Sequence, residues 1–291
     1  MDLALVLCRA LQFTAAIALF GVSAFQAMAV PNGLAQVIAP PLRRLAAMAI
    51  ILIAVTAIVW LLLETVEVTG DWLSAMSPAT LTALLFETEF GRVWQCRLAF
   101  VAILLAILVM RRHDNWRITA FWSALVLASL GFVGHGAMYT GGLGWLNRSS
   151  RALHLLAAGF WLGSLVPLLV CLPMLRHPGF AVDAAVALRR FSALGPIAVA
   201  TVLLTGMANT WLAIEVWPIN FQSPYQELLL AKIGLIAAMI GLALVNRFML
   251  TTRLVTAPET WRKLRTNTVA EVILGLAAIV LVSVMGTLAP S

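Results

Sequence analysis

The chain has 291 residues, 62% of them hydrophobic and only 11% charged, with a mean hydropathy of +0.99. A soluble domain carries about 25% charged residues, so this composition excludes a water-exposed globular surface and makes the bilayer the natural solvent. The net charge of +7 would suggest nucleic acid in a soluble protein; here the basic residues sort by loop, so topology explains them and no nucleic-acid partner is expected.

A helix crosses the hydrocarbon core with about 20 mostly apolar residues. Eight stretches qualify: 3–30, 45–66, 93–111, 117–138, 149–175, 191–214, 226–250 and 267–288. They are continuous runs rich in Leu, Ala and Ile, without the period-two alternation of barrel strands. The expected fold is an all-α polytopic bundle of about eight transmembrane helices, forming a single membrane domain over 1–291.

The first span ends in Ala27-Met28-Ala29, which looks like a signal-peptidase site. No Lys or Arg precedes Arg9, however, so the segment is read as a retained span. The longest gap, from about Glu67 to Arg92, contains Ser77-Pro78, a helix-start signal, and predicts a short interfacial helix over 79–86. Trp72 and Trp94 flank this gap as interfacial aromatics do. Tyr139 to Gly144 reads as a short Gly-rich link that brings spans four and five together as a hairpin. A second gap, Trp217 to Gln226, holds Pro218 and Pro224 and is expected to be non-helical.

Alternate gaps carry Arg43 and Arg44; Arg111, Arg112 and Arg117; Arg176, Arg189 and Arg190; and Arg247, Arg253, Arg262, Lys263 and Arg265. The positive-inside rule places these gaps in the cytoplasm and both termini outside. The acidic residues lean the other way: Asp2, Glu64, Glu67, Asp71, Glu87, Glu89, Glu215 and Glu227 fall on the outer side. Such a rim concentrates cations, although ordinary solvation of loop ends would produce it too. Cys8, Cys96 and Cys171 sit in three different spans, so they form neither a disulfide framework nor a zinc site.

Polar residues inside hydrocarbon are costly and usually point inward. His113 and His177 sit at inner loop boundaries as basic interfacial residues. His135 lies near the outer end of span four, and His154 about one turn into span five. A short link between the spans places both at similar depth. His135 and Met138 are spaced i, i+3 and share a helix face. Imidazole with thioether suits a soft cation such as Cu(I); alternatively, each histidine simply bonds a neighbouring helix. Met207 and Asn209 in span six are candidates to complete the shell. Arg148 and Arg151 would oppose a cation there unless paired with Glu87, Glu89 or Glu215. Trp161, seven residues after His154, shares its face. Arg9, Arg97, Lys232, Asn246 and Glu271 are further intramembrane polar groups. Glu271 is expected either to mark the inner end of a polar route or to pair with a basic neighbour such as Arg247. Gly159, Gly163 and Ser164 permit close helix contact. No phosphate loop, HExxH, nucleophile elbow or dinucleotide fingerprint appears in usable context, so an enzyme is not expected.

Several of these residues stand in a familiar order: Gly134-His135-Gly136-Ala137, His154 followed by Trp161-Leu162-Gly163, Arg190-Phe191-Ser192, Thr205-Gly206, Lys232-Ile233, Asn246-Arg247, Glu271 and Pro290. Over about 130–290 the chain thereby resembles the bacterial copper-resistance protein D family, with Gly136 and Ser164 as small-for-small departures from its pattern. The resemblance implies a multi-pass protein of the bacterial inner membrane that takes copper from the periplasm, often with a periplasmic copper-binding partner of the CopC type, and moves it inward. By that resemblance His135 and His154 would bind copper at the outer entrance, with Met138 added as a ligand from the helix face it shares with His135. Trp161, Met207, Asn209, Lys232, Asn246 and Glu271 are candidates for its path. The rival reading is a haem-b electron-transfer protein or membrane oxidoreductase in which the two histidines are axial ligands.

Overall fold

A computed structural model describes residues 2–112, 115–133, 141–213, 223–251 and 260–288, the side chains of Asp2 and Ala213 excepted. Among them every regular element is helical: α1 (Asp2–Met28), α2 (Asn32–Thr69), α3 (Trp72–Ala75), α4 (Pro78–Glu87), α5 (Glu89–Val109), α6 (Trp116–Ser129), α7 (Gly141–Cys171), α8 (Ala181–Ala213), α9 (Pro224–Val245) and α10 (Thr260–Met285). One-turn 3₁₀ segments follow α6 and α7, and a π-helical turn, Asn246–Leu250, follows α9. The chain is an all-α, multi-pass membrane protein. Seven helices are long and apolar enough to cross a bilayer: α1, α2, α5, α7, α8, α9 with its π turn, and α10. The fourth expected span appears as the shorter apolar helix Trp116–Phe132; the rest of that expectation, 134–138, lies outside the described residues.

Helix ends follow local chemistry. Gly70 closes α2 in a left-handed conformation, φ 82°, donating its N–H to the Val66 carbonyl at 2.8 Å, a conformation cheap only for glycine. Asp71 caps α3 by accepting the Ser74 N–H at 2.9 Å, and hydrogen bonds from the Ser74 hydroxyl and then its backbone N–H hold the carboxyl below the usual carboxylate range. Thr88 caps α5 by accepting the Gly91 N–H at 2.9 Å. The expected interfacial helix is present as α4, with Pro78 in its first turn.

Four expectations change. α2 starts at Asn32 rather than near 45 and continues through Pro40 and Pro41. Leu34, Ile38 and Leu42 repeat every four residues and are buried with Val22, Phe25, Leu165 and Leu168, so packing sustains the helix beyond the hydrocarbon run. The Gly-rich segment from Gly141 is already helical, which places His154 nearly four turns into α7 rather than one. α9 opens at Pro224 with proline in its first turn, so only 217–223 of the expected non-helical gap remains, and 217–222 lies outside the described residues. Trp94 is not interfacial: it is fully buried and donates its indole N–H to the Ala57 carbonyl at 3.2 Å.

α1 is the hub, packing on α2, α6, α7 and α10. Its tightest contact is with α7. A Cβ at Gly163 would overlap the Ile17 carbonyl, and one at Gly21 would overlap the Gly163 backbone. Ser164 donates to the Gly21 carbonyl at 3.2 Å across the same crossing. Small residues let these backbones touch, as membrane helix packing requires. At the far side of the bundle α8 rests on α7 and α9 on α10, leaving a cleft between α8 and α9.

Candidate functional site

The α7–α8 contact holds His154. Its Nδ1 lies 3.0 Å from the Thr205 hydroxyl on α8. That hydroxyl has one hydrogen, which it donates to the Thr201 carbonyl at 2.5 Å. The Val202 carbonyl, able only to accept, also stands in hydrogen-bonding range of the imidazole. With that hydrogen given to Thr201, the hydroxyl accepts from Nδ1, which leaves Nε2 as the nitrogen that carries the lone pair in the neutral imidazole. Gly206 permits the approach, since a Cβ there would stand 3.4 Å from His154 Cε1. A metal-binding histidine is commonly oriented in this way, with its second nitrogen tied to a fixed acceptor.

The remaining candidates are sorted by the fold. Lys232 of α9 and Arg151 of α7 stand within electrostatic range of one another, and Lys232 also of His154. Arg151 donates its Nε to Asn147 Oδ1 at 3.1 Å and has Tyr225 as an electrostatic neighbour. Of the expected carboxylate partners, Glu89 pairs with Arg92 at 3.1 Å, Glu87 has no ion pair with Arg151 among the described residues, and Glu215 lies outside them. Asn209 Oδ1 is buried without a hydrogen-bond partner. Met207 is 70% exposed on the outside of α8, so the fold does not bring it into a shell with His154. His135 and Met138 lie outside the described residues. Among the described residues no three His, Cys, Asp or Glu side chains form a metal-binding group.

Two turns further along α7, about 10 Å by the helical rise, Trp161 faces a second polar site. Here the structure joins three of the candidates. Glu271 of α10 is 2% exposed. It accepts the Asn246 Nδ2 hydrogen at 2.6 Å and the Trp161 indole N–H. Asn267 donates to Asn246 Oδ1 at 3.0 Å and fixes which way that amide points. Asn246 opens the π-helical turn, and the Thr251 hydroxyl donates to its backbone carbonyl at 2.7 Å. Arg247 does not pair with Glu271; it donates to the Ser192 hydroxyl at 3.3 Å. The reason is geometric: Asn246, one residue earlier, occupies the carboxylate, and its neighbour turns toward α8. The network borders a cavity of about 320 Å³ between α8 and α9, walled mainly by apolar side chains of α7, α8, α9 and α10.

Sequence reading named Trp161, Asn246 and Glu271 individually, and missed the roles of Thr205 and Asn267. Thr205 was visible as part of the Thr205-Gly206 pair that carries the family resemblance, but not as a partner of His154. Its pairing with a residue 51 positions away carries no spacing signal.

Two family descriptions match the chain: the N-terminal domain of copper resistance protein D-like proteins over residues 1–145, and copper resistance protein D over residues 185–285. The chain is 27% identical over 289 residues to an inner membrane protein of Escherichia coli (strain K12), YebZ, covering 97% of each chain. It is 30% identical over 218 residues to copper resistance protein D of Pseudomonas syringae pv. tomato, covering 68% of each. It is 29% identical over 192 residues to the copper transport protein CutJ of Bacillus subtilis (strain 168), covering 62% of this chain and 34% of that one. No solved structure matches.

Proposed function

Since this chain belongs to the copper resistance protein D family, we propose that it binds copper on the periplasmic side of the bacterial inner membrane and carries it toward the cytoplasm. The observation that carries this reading is His154. Its Nδ1–H is committed to α8, so a neutral imidazole with a free Nε2 lone pair is held ready as a metal ligand. The names of the relatives, a copper transport protein and an inner membrane protein, agree with this role and location.

The orientation rests on charge. The ends of α2, α4, α5 and α9 that share the His154 side carry exposed Glu67, Asp71, Glu87, Glu89 and Glu227. The opposite ends carry the arginine-rich gaps. Positive residues stay in the cytoplasm, which puts the acidic rim and both termini in the periplasm. Such a rim attracts copper and suits a basic or copper-loaded periplasmic protein of the CopC type. His135 and Met138, on the segment before α7, are proposed as the companion ligands of His154. The chain acts as one membrane domain and as a carrier rather than an enzyme; the packing of α1 against α2, α6, α7 and α10 supports a single unit.

The test is copper retention and an absorption spectrum of purified wild type and the His135→Ala, His154→Ala double variant. Copper held by wild type and reduced at least tenfold in the variant, with no Soret band in either, is the expected result. Equal copper in both overturns the assignment, and a Soret band lost in the variant replaces it with a haem site.

A further inference from the structure

Glu271 is a carboxyl group deep in α10, eleven residues from its Thr260 end. Every partner it has is neutral: the Asn246 amide and the Trp161 indole. No basic side chain among the described residues pairs with it. An isolated carboxylate in hydrocarbon is expensive, so the group is either protonated or offset by a cation that is not one of the described side chains. α9, packed on α10, has its titratable groups Tyr225, Glu227 and Lys232 in its first nine residues, at the opposite end of the helix from Asn246. Of the groups around Glu271, α7 contributes Trp161, α8 Ser192, and the π turn Asn246 and Arg247, with Arg247 directed to Ser192. α10 itself contributes Asn267 and Thr268. α1, which also packs on α10, brings its one basic group, Arg9, to the Gly286 carbonyl at the far end.

The donor set decides what can offset the charge. No His, Cys or Met lines the adjoining cavity, so it lacks the soft ligands copper selects. A hard metal cation asks for about six oxygen ligands. Here Asn246 Oδ1 is occupied by Asn267, the Asn246 backbone carbonyl by Thr251, and most of the wall is apolar. A proton needs one oxygen. The carboxylate is held by two oriented donors, one of which, Asn246, opens a π-helical turn of the kind found at functional sites, and it borders a cavity of about 320 Å³.

We propose that Glu271 is a proton-exchange site that couples copper movement to a proton. This rests on the copper reading above and deepens it by naming the coupling ion. In the step, the O–H bond of Glu271–COOH breaks as a copper ion advances along α7, its proton passing to water in the adjoining cavity, and the carboxylate takes a proton back from water once the ion has left. Charge is conserved and no electron is transferred. The connection to the outer site is short: His154 and Trp161 lie on the same face of α7, two turns apart. The cavity wall also reaches Leu203, two residues from Thr205.

The test uses the full chain in proteoliposomes with a trapped pH dye, with copper and a reductant added outside. Wild type, Glu271→Gln and Glu271→Asp are compared for copper bound to the purified protein and for copper-dependent proton movement. An infrared difference spectrum, taken with and without copper, follows the carboxylic C=O band. The expected result is copper binding within twofold of wild type for Glu271→Gln, proton movement reduced at least tenfold, partial recovery in Glu271→Asp, and loss of the copper-dependent C=O band in Glu271→Gln. Unchanged copper-linked proton movement in Glu271→Gln overturns the proposal and leaves the copper reading standing. Copper transport by wild type without any pH change does the same. A wild type that binds no copper overturns the copper reading and this proposal with it.

Discussion

The two halves of the bundle bury charge in opposite ways. In the half built from α1, α2, α5 and α6, Arg97 is 0% exposed. Its Nε donates to the Ser129 hydroxyl at 3.0 Å, and its guanidinium lies 4.2 Å from the Trp94 ring and 5.7 Å from that of Trp60. Arg9 stands over the same Trp60 ring at 5.1 Å and donates to the Gly286 carbonyl at 2.9 Å. Nη1 and Nη2 of Arg97 have no hydrogen-bond partner; aromatic faces cover the cation instead. In the half built from α7 to α10, Glu271 and Asn246 are fixed by hydrogen bonds yet border an open cleft, and His154 keeps a free lone pair. A buried charge is therefore not by itself a sign of function. Access separates the two cases: the first cation is sealed among tryptophans, while Glu271 and Asn246 of the second half border a cavity.

That contrast can be broken at its joint. The halves meet where α1 crosses α7, and a side chain at Gly163 would meet backbone rather than flexible atoms. Gly163→Leu is expected to cost about 3 kcal/mol or more, seen as a large fall in the thermal midpoint in detergent or in folded yield. A midpoint unchanged from wild type would mean that the halves do not depend on this crossing.

The second half should respond in binding rather than stability. Thr205→Val keeps the shape of the side chain but removes the acceptor for His154 Nδ1–H. The imidazole then loses its fixed tautomer, and copper affinity is expected to fall by about 10-fold or more, as for other supporting partners of metal ligands. Titration with a competing chelator measures this. Equal affinity would show that the α8 hydroxyl does not orient the ligand.

The smallest effect is expected in the sealed half. Arg97→Met loses the aromatic contacts of a cation but also its desolvation cost. Stability should move by no more than about 1 kcal/mol, and copper binding should be unchanged. A variant that folds normally yet loses copper would place Arg97 on the route and erase the contrast.

Much of the architecture could be read from hydropathy, because eight apolar runs leave few alternatives in a bilayer. Hydropathy reports hydrocarbon thickness rather than where a helix ends. This is why α2 begins before its prolines and α7 at Gly141, both in segments that looked like loops. Trp94 looked interfacial because it sits near the start of an apolar run; only the fold shows Trp60 and Phe90 packed on it. The candidate sites were partly legible. A lone Glu, Asn or His in an apolar run announces itself by cost. Its partner does not, when it lies 25 positions away as Asn246 does from Glu271, or 51 as Thr205 does from His154. The expected Arg247–Glu271 pair failed for that reason: sequence gives charge complementarity, but the direction of each side chain is set by packing.

The central claim is that His154 Nε2 is a copper ligand. The most direct measurement is an X-ray absorption spectrum at the copper edge of copper-loaded wild type and of His154→Ala. Imidazole scattering present in wild type and diminished or absent in the variant is the expected result. Identical spectra at equal copper loading would contradict the claim and move the copper site away from α7.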